Sequence, residues 1–168
     1  MATPIQLHDA GALSKYDPEL PPMHKEIRTF YVSPRFATWA NDDLPKLEST
    51  WKIEQSPQEQ LAEFLDEIYC PCEPLFIDWH VKPVSPLRHI EDGIWELKTA
   101  DLRIFGWFFA KDCFIASAAN LADTVKQLHL YNPYREEAVR FRDGLDLDNP
   151  KFVPGDNPHA VVSNLSYP

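Results

Sequence analysis

The stretch IWELKTADLRIFGWFF, from Ile94 to Phe109, decides the fold class of this chain. Two apolar runs rich in β-forming residues flank a short candidate turn, Thr99-Ala100, a pattern typical of a β-hairpin. The continuation AKDCFIASAANLADTVK adds a third apolar run after a second candidate turn, Lys111-Asp112. We therefore predict antiparallel strands at Ile94–Lys98, Leu102–Phe109 and Cys113–Asn120.

Two-residue turns at these two positions set the expected register of the strands. They place Glu96 opposite Arg103, and Arg103 opposite Asn120, on one face of the sheet. That face is also expected to carry Phe105, Trp107, Phe109, Phe114, Ala116 and Ala118. The opposite face is expected to carry Trp95, Leu97, Ile104, Phe108 and Ile115. The middle strand is then apolar on both faces, as in a central strand, and the small residues Ala116–Ala119 leave room for close approach to the third strand.

The clearest helix signal is SPQEQLAEFLDEIYC. Ser56 is the expected N-cap, Pro57 the first helical residue, and Glu59 completes a capping box, so we predict a helix that ends near Pro71. Its polar side is either a solvated acidic face or a docking surface for a partner. The acidic residues of that side are Glu59, Glu63, Asp66 and Glu67.

The remaining segments give weaker signals. KEIRTFYVS, Lys25–Ser33, alternates like a strand, and Phe76–Val81 could form a short one. YNPYREEAVRFRDGL predicts a helix with Asn132 as its cap and Pro133 as its first residue, ending near Gly144.

Prolines gather near the two ends of the chain and suggest its division. We predict an extended N-terminal arm at residues 1–24, a single α+β domain at 25–145, and an irregular acidic tail at 146–168. The fold class is α+β, with a small antiparallel sheet and helices packed on one of its faces.

Net charge is −10 and is unevenly distributed. Residues 1–87 contain 7 basic and 14 acidic residues, residues 88–142 contain 8 of each, and residues 143–168 contain 1 and 4. Acidic flanks repel a phosphate backbone over a Debye length of roughly 8 Å, which argues against a general nucleic-acid-coating role. A local basic pocket remains compatible with this composition.

Three cysteines, an odd number, favour a reducing compartment, and the expected location is the cytoplasm. The N-terminus lacks the pattern of a secretion signal, and no apolar run approaches the length that spans a bilayer. A metal site built from Cys70, Cys72, Asp78 and His80 is disfavoured because no second matching pair of ligands is present. We predict no cofactor and no metal.

The segment PLRHIEDGIWELKTADLRIFGWFFAKDCFIASAANLADTVKQLHLYNPYREEAVRF resembles the HigB-like, phage-derived branch of the RelE/ParE toxin superfamily. The resemblance covers about a third of the chain and follows a pattern of strands, a following loop and a proline-initiated helix. Its matching positions are Arg88, Gly93, Trp95, Glu96, Leu97, Arg103, Phe105, Lys126, Pro133 and Ala138.

This resemblance implies a RelE-like fold and a toxin that cuts ribosome-bound messenger RNA without a metal, neutralised by a helix-turn-helix antitoxin. In such a reaction a ribose 2′-hydroxyl attacks the adjacent phosphate, which needs a base, an acid and fixed cations. The resemblance assigns Arg88 and Arg103 to phosphate stabilisation and Lys126 to the same task or to proton transfer. It assigns His129 or Tyr131 to acid–base chemistry.

The chain departs from that family in its charge. ANLADTVK keeps Lys126 but adds Asp123 where the family has several cations, which points to weakened or lost cleavage. The alternative is a non-enzymatic, acidic phage or mobile-element protein, for example an anti-CRISPR-like inhibitor. Such a protein binds a basic nucleic-acid-handling complex at a site meant for phosphates.

Ordinary structural roles compete with these assignments. Arg103 could form a cross-strand ion pair with Glu96, and His129 could be a plain loop histidine. Trp79, Trp95 and Trp107 could stack on bases but more often pack in a core.

Overall fold

The structure is a computed structural model that describes residues 1–76 and 87–166. The helices are α1 Pro4–Asp9, α2 Pro34–Asp42, α3 Pro57–Glu63, α4 Ala122–Gln127, α5 Tyr131–Gly144 and α6 Pro158–Val161. A 3₁₀ turn, Leu44–Lys46, follows α2, and a π-helical stretch, Phe64–Tyr69, continues α3. The strands are β1 Ser14–Lys15, β2 Thr29–Val32, β3 Leu75–Phe76, β4 Leu87–Glu91, β5 Ile94–Lys98, β6 Leu102–Ala110, β7 Cys113–Leu121 and β8 Leu165–Ser166.

Six of these strands form one sheet in the order β1-β2-β7-β6-β5-β4. Strand β2 runs parallel to β7, with Phe30 beside Phe114, and the other neighbours are antiparallel. The α+β class is thus confirmed, but the prediction of an antiparallel sheet is wrong because β2 joins it in the parallel direction. Strands β3 and β8 form a separate parallel pair.

Helices cover both faces of the sheet, so the prediction of helices on one face is also wrong. One face packs against α2, α3 and the π-helical stretch through Phe36, Leu61 and Phe64. The other face packs against α1 and α5, through Leu7 and Ala138. Both faces of the central strand β6 are apolar and each needs a cover, which explains the arrangement.

The predicted strands β5, β6 and β7 are confirmed, and Arg103 does pair with Asn120. The pairing of Glu96 with Arg103 is wrong, because Arg103 is the partner of Lys98 and Glu96 is the partner of Phe105. Three residues, Thr99–Asp101, connect β5 to β6. The Thr99 amide donates to the Leu102 carbonyl at 3.2 Å, so the turn is centred on Ala100-Asp101 and not on Thr99-Ala100.

A buried polar network explains the position of the β5–β6 turn. The Gln60 amide oxygen accepts from the Asp101 amide and from the Thr99 hydroxyl, both at 2.9 Å. The Gln60 Nε2 donates to Asp101 Oδ2 at 2.6 Å. Because buried polar groups need partners, Gln60 on α3 fixes the shape of a loop about 40 residues further along the chain.

Two β-bulges change the expected faces of β7. Ser117 is an extra residue on β7 and Phe109 an extra residue on β6, so the two register shifts cancel. Between them, Phe114 and Ala116 share a face with Phe108, not with Phe105 as predicted, while Ile115 lies with Trp107. Gly106 lies beside the Ser117 bulge, and a Cβ there would come within 2.1 Å of the Ile115 carbonyl oxygen.

The capping box of α3 is confirmed, with Ser56 and Glu59 bonding each other's backbone amides. The predicted cap of the last long helix is wrong, because α5 begins at Tyr131, before Asn132, and Leu130 occupies the cap position. The first predicted strand is shorter than expected and starts at Thr29.

Both chain ends differ from the extended arm expected at residues 1–24 and the irregular acidic tail expected at residues 146–168. Helix α1 and strand β1 lie in the first segment, and Leu7 and Leu13 are buried against the sheet. In the last segment Leu147, Val161 and Val162 are buried. These apolar side chains cover sheet surface that α2, α3 and α5 leave open, which explains why the ends are ordered.

Across residues 1–76 and 87–166, none of the helices has both the length and the apolar character that crossing a membrane requires. The possible strand at Phe76–Val81 and the residues Asp78, Trp79 and His80 lie largely or wholly outside the described part of the chain.

Arg28 is fully buried and links distant segments of the chain. Its Nη1 donates to the carbonyls of Ile68 and Tyr69, both at 3.2 Å. Its Nη2 donates to the carbonyls of Glu73 at 3.1 Å and Ser163 at 2.6 Å. The guanidinium thus joins β2, the end of the π-helical stretch and the C-terminal segment.

Replacing Arg28 with Ala should lower the free energy of unfolding by about 3–5 kcal/mol, because four backbone carbonyls lose the donor that a fully buried guanidinium supplies. Arg28→Lys should lose less, since it keeps the charge but not the planar fork. The exposed Arg140→Ala is the matched control and should change stability by about 0.5 kcal/mol or less. Urea denaturation measures all three, and equal losses in Arg28→Ala and Arg140→Ala would contradict the role of Arg28.

Candidate functional site

Glu96 is a buried carboxylate at the point where β4, β5 and β6 meet. Its two oxygens accept from Arg88 on β4, from Nε at 3.2 Å and from Nη2 at 3.3 Å. Lys98, two residues further along β5, places its Nζ 3.3 Å from Glu96 Oε1. A buried carboxylate needs compensation, and here two cations supply it.

Arg103 lies beside this pair but makes no ion pair in the described part of the chain. Arg103 is only 5% exposed, and its Nη1 donates to the carbonyls of Thr99 at 3.0 Å and Leu102 at 2.8 Å. The guanidinium therefore closes the connection between β5 and β6. An ion pair with Glu96, the structural role considered from the sequence, is not formed.

Tyr131, the first residue of α5, covers the exposed side of the cluster. The Arg88 guanidinium lies 5.2 Å from the centre of the Tyr131 ring, and that ring meets Phe105 edge-on at 5.8 Å. Arg88 is bound by Glu96 and by an aromatic face, yet its side chain is still 48% exposed. It is the cation of this cluster that a ligand can reach.

Lys126 and His129 are not bonded to the cluster within the described residues. Both are exposed, at the end of α4 and in the turn that follows it. His129 adopts a φ of 52°, and its amide reaches the Lys126 carbonyl at 3.4 Å. Within residues 1–76 and 87–166, no hydrogen bond or ion pair joins either side chain to Arg88, Glu96 or Arg103.

The structure thus adds Glu96 and Lys98 to the residues selected from the sequence. Strand alternation already placed both on the face of Arg103, since residues 94, 96 and 98 share a face. The signal was therefore present. It was missed because the turn was assumed at Thr99-Ala100, which gave Glu96 the wrong partner.

The cluster combines three cations, Arg88, Lys98 and Arg103, with the single carboxylate of Glu96. Burial lowers the pKa of Lys98, the Glu96 carboxylate opposes that shift, and the nearby Arg103 and Arg88 add to it. The cluster is therefore a local positive site within an acidic chain, and it could hold an anion at its open side.

A cavity of about 420 Å³ lies over the small residues of β7. Asn120 donates to the Tyr134 hydroxyl at 3.0 Å and accepts from the Leu121 amide at 2.8 Å. Arg35 lies 5.6 Å from the centre of the Tyr134 ring and pairs with Glu137. The cavity opens where the sequence indicated room for close approach to the third strand.

Cys70, Trp95 and Trp107 are all buried. Burial raises the pKa of the Cys70 thiol to about 12, so it stays protonated and is a poor metal ligand. No group of three or more candidate ligands able to hold a metal ion occurs among the residues that the structure describes. Trp95 and Trp107 are buried in the core, where no base can stack on them.

No protein-family model, curated protein or solved structure matches this chain.

Replacing Glu96 with Gln should lower the pKa of Lys98 further, because the carboxylate is what opposes the effect of burial. NMR titration of the Lys98 side chain measures this shift. The variant should also lose about 1–3 kcal/mol of stability at neutral pH, where Arg88 and Lys98 lose their anion. Since a lowered pKa means that the unfolded chain binds more protons, the loss should shrink as the pH rises toward 10.5, the ordinary value for Lys98.

Glu91→Gln is the matched control for this experiment, since Glu91 has a side chain 69% exposed that lies 3.8 Å from Arg135. It should leave the Lys98 pKa unchanged and alter stability by about 0.5 kcal/mol or less. An unchanged Lys98 pKa in Glu96→Gln would contradict the electrostatic coupling.

Proposed function

We propose that the protein is a non-enzymatic binding protein whose acidic surface engages a basic, nucleic-acid-handling protein. The observation that carries this proposal is the division of charge between interior and surface. Among the described residues, seventeen carboxylate side chains are exposed, against eight basic ones. The exposed basic residues are Lys25, Arg35, Lys46, Lys52, Arg88, Lys111, Lys126 and Arg140.

Because three arginines are buried, the surface is more acidic than the overall composition indicates. Arg28, Arg103 and Arg142 are all buried, and each donates to backbone carbonyls of the chain itself. Their charges are directed inward, so a partner meets mostly carboxylates. Such a surface attracts the cationic sites that normally bind phosphates and repels nucleic acid itself.

The predicted cleavage residues support this choice over catalysis. Arg103 is shut away from water, and Glu96 compensates Arg88 and Lys98. Lys126 and His129 are not bonded to this cluster within the described residues. A phosphoryl transition state needs several free cations around one point, and here Arg88 is the one that is open to a ligand.

Messenger-RNA cleavage is the second candidate, supported by the cluster of Arg88, Lys98 and Tyr131 around Glu96 and by the RelE/ParE resemblance. A carboxylate beside two cations and a phenol contains the groups that 2′-hydroxyl attack on a phosphate requires. The Glu96 side chain is only 1% exposed, so this reaction would need Arg88 to swing away from it. A helix-turn-helix antitoxin would be the partner in that case.

Expression in a bacterium separates the two candidates. We expect normal growth and intact messenger RNA, because one accessible cation, Arg88, is too few for a phosphoryl transition state. Growth arrest with RNA cleavage, relieved by Arg88→Ala but not by the exposed Arg140→Ala, would establish the toxin and overturn the binding protein. Primer extension on total RNA provides the readout.

The binding function itself is tested with a purified nucleic-acid-handling complex that the tagged protein retains. We expect nucleic acid to displace the protein, and a fourfold rise in salt to weaken binding by roughly tenfold or more, because surface charges are screened. Salt-insensitive binding that nucleic acid does not disturb would contradict the proposal.

A further inference from the structure

Trp51 is a large aromatic side chain left in solvent on the loop between the 3₁₀ turn and α3. It is 66% exposed, and Ile53, two residues on, is 41% exposed. Trp95 and Trp107 are by contrast buried, at 1% and 0%. Trp51 and Ile53 thus form a small exposed apolar patch that is not packed into the core.

The turn that carries Trp51 is held rigidly. The Thr50 amide donates to Asp101 Oδ1 at 2.9 Å, and Asp101 is buried and fixed by Gln60. The Lys52 amide donates to the Ser49 carbonyl at 3.2 Å, and the Ile53 amide to the Ser49 hydroxyl at 3.3 Å. Trp51 is thus presented on an ordered turn, which lowers the entropy cost of binding through it.

Acidic side chains surround this turn in the chain. Glu48 and Glu54 are exposed and lie three residues before and after Trp51. Between residues 42 and 67 seven carboxylates are exposed, against two basic side chains, Lys46 and Lys52. An apolar centre with an acidic rim is complementary to a cationic partner and repels an anionic one.

An apolar groove of about 330 Å³ begins at Gln55, just after the turn. Its lining includes Glu63, Phe64, Ile68, Pro74 and Leu75. Gln55 and Glu63 are hydrogen-bonded at its rim. A segment that binds at Trp51 could extend into this groove.

We propose that Trp51, Ile53, Glu48 and Glu54 form the anchor of a docking surface for an arginine-bearing segment of a nucleic-acid-handling protein. This inference rests on the function proposed above and locates the surface that performs it. A guanidinium can stack on the exposed indole while its N–H groups bond the flanking carboxylates, an arrangement that lysine reproduces poorly. Arginines that bind phosphates are therefore the side chains this surface selects.

The test measures binding of a short, labelled arginine–glycine peptide by fluorescence anisotropy at about 150 mM salt, where weak surface attraction is screened. A lysine–glycine peptide and a glutamate–glycine peptide serve as probes of side-chain type and of charge. Wild-type protein should bind the arginine peptide more tightly than the lysine peptide, and should not bind the glutamate peptide.

Trp51→Ala should weaken binding of the arginine peptide by about tenfold, as expected for a central aromatic anchor. Its matched control is Leu128→Ala, because Leu128 is 64% exposed and lies outside this surface. That control should bind within about twofold of wild type. Circular dichroism should show both variants folded, since both positions are exposed.

The acidic rim is tested with the double variant Glu48→Gln, Glu54→Gln, which should weaken binding by about threefold or more. Asp9→Asn with Asp17→Asn changes net charge equally at exposed positions elsewhere and should bind like wild type. Equal effects of the two pairs would show that overall charge alone attracts the peptide, and would overturn the assigned location.

The remaining outcomes separate this inference from the proposed function. If wild type and Trp51→Ala bind alike, the docking surface lies elsewhere while the binding function stands. If wild type binds neither cationic peptide, the arginine-binding surface is overturned, and the retention of the complex under salt and nucleic-acid competition decides the proposed function separately. If sedimentation shows a dimer that Trp51→Ala dissociates, the occupant is a second copy of this chain and the inference is overturned.

Discussion

The buried guanidinium of Arg28 is the constraint on which the rest of the structure depends. A charge without solvent is costly to bury, and here four backbone carbonyls, with Asp112 at 3.8 Å and the Tyr69 ring at 5.7 Å, compensate for its lost hydration. Those carbonyls belong to the end of the π-helical stretch, to Glu73 shortly after it, and to the C-terminal segment. Asp112 in turn accepts from the Ser163 amide and hydroxyl. The last residues of the chain are thus part of the same packed body as β2, and the parallel pairing of β2 with β7 follows from fixing both around this point.

Local patterns predicted the elements whose causes are local. The capping box at Ser56 and Glu59 and the three strands β5, β6 and β7 depend on residues a few positions apart, and all are present. The features that were missed depend on distant contacts. The parallel β2–β7 pair joins residues about 84 positions apart, and Gln60 shapes the β5–β6 connection from another helix. No periodicity in the sequence records such contacts.

In the site, too, some features were predicted from the sequence and others were not. The pairing of Arg103 with Asn120 was predicted correctly, although the Phe109 and Ser117 bulges each shift the ladder by one residue; their shifts cancel before Arg103 is reached. Glu96 was given the wrong partner because the turn was placed at Thr99-Ala100, one position before its actual centre at Ala100-Asp101. Since that error moved the strand by two residues and not by one, Glu96 stayed on the correct face. The sequence therefore predicted which side chains share a face, but not which of them bond.

The placement of cations links this fold to its proposed role. A buried arginine that donates to carbonyls stabilises loops and strand ends, and Arg28, Arg103 and Arg142 all act in this way. Each such arginine is also a positive charge withdrawn from the surface, so the same contacts that order the chain increase its outward negative field. Carboxylates follow the opposite rule, since Glu96 and Asp101 are the two that are buried among the described residues. Structural stability and an acidic exterior thus have a common origin, and in the proposed function a cationic partner would meet a surface of carboxylates with Trp51 exposed among them.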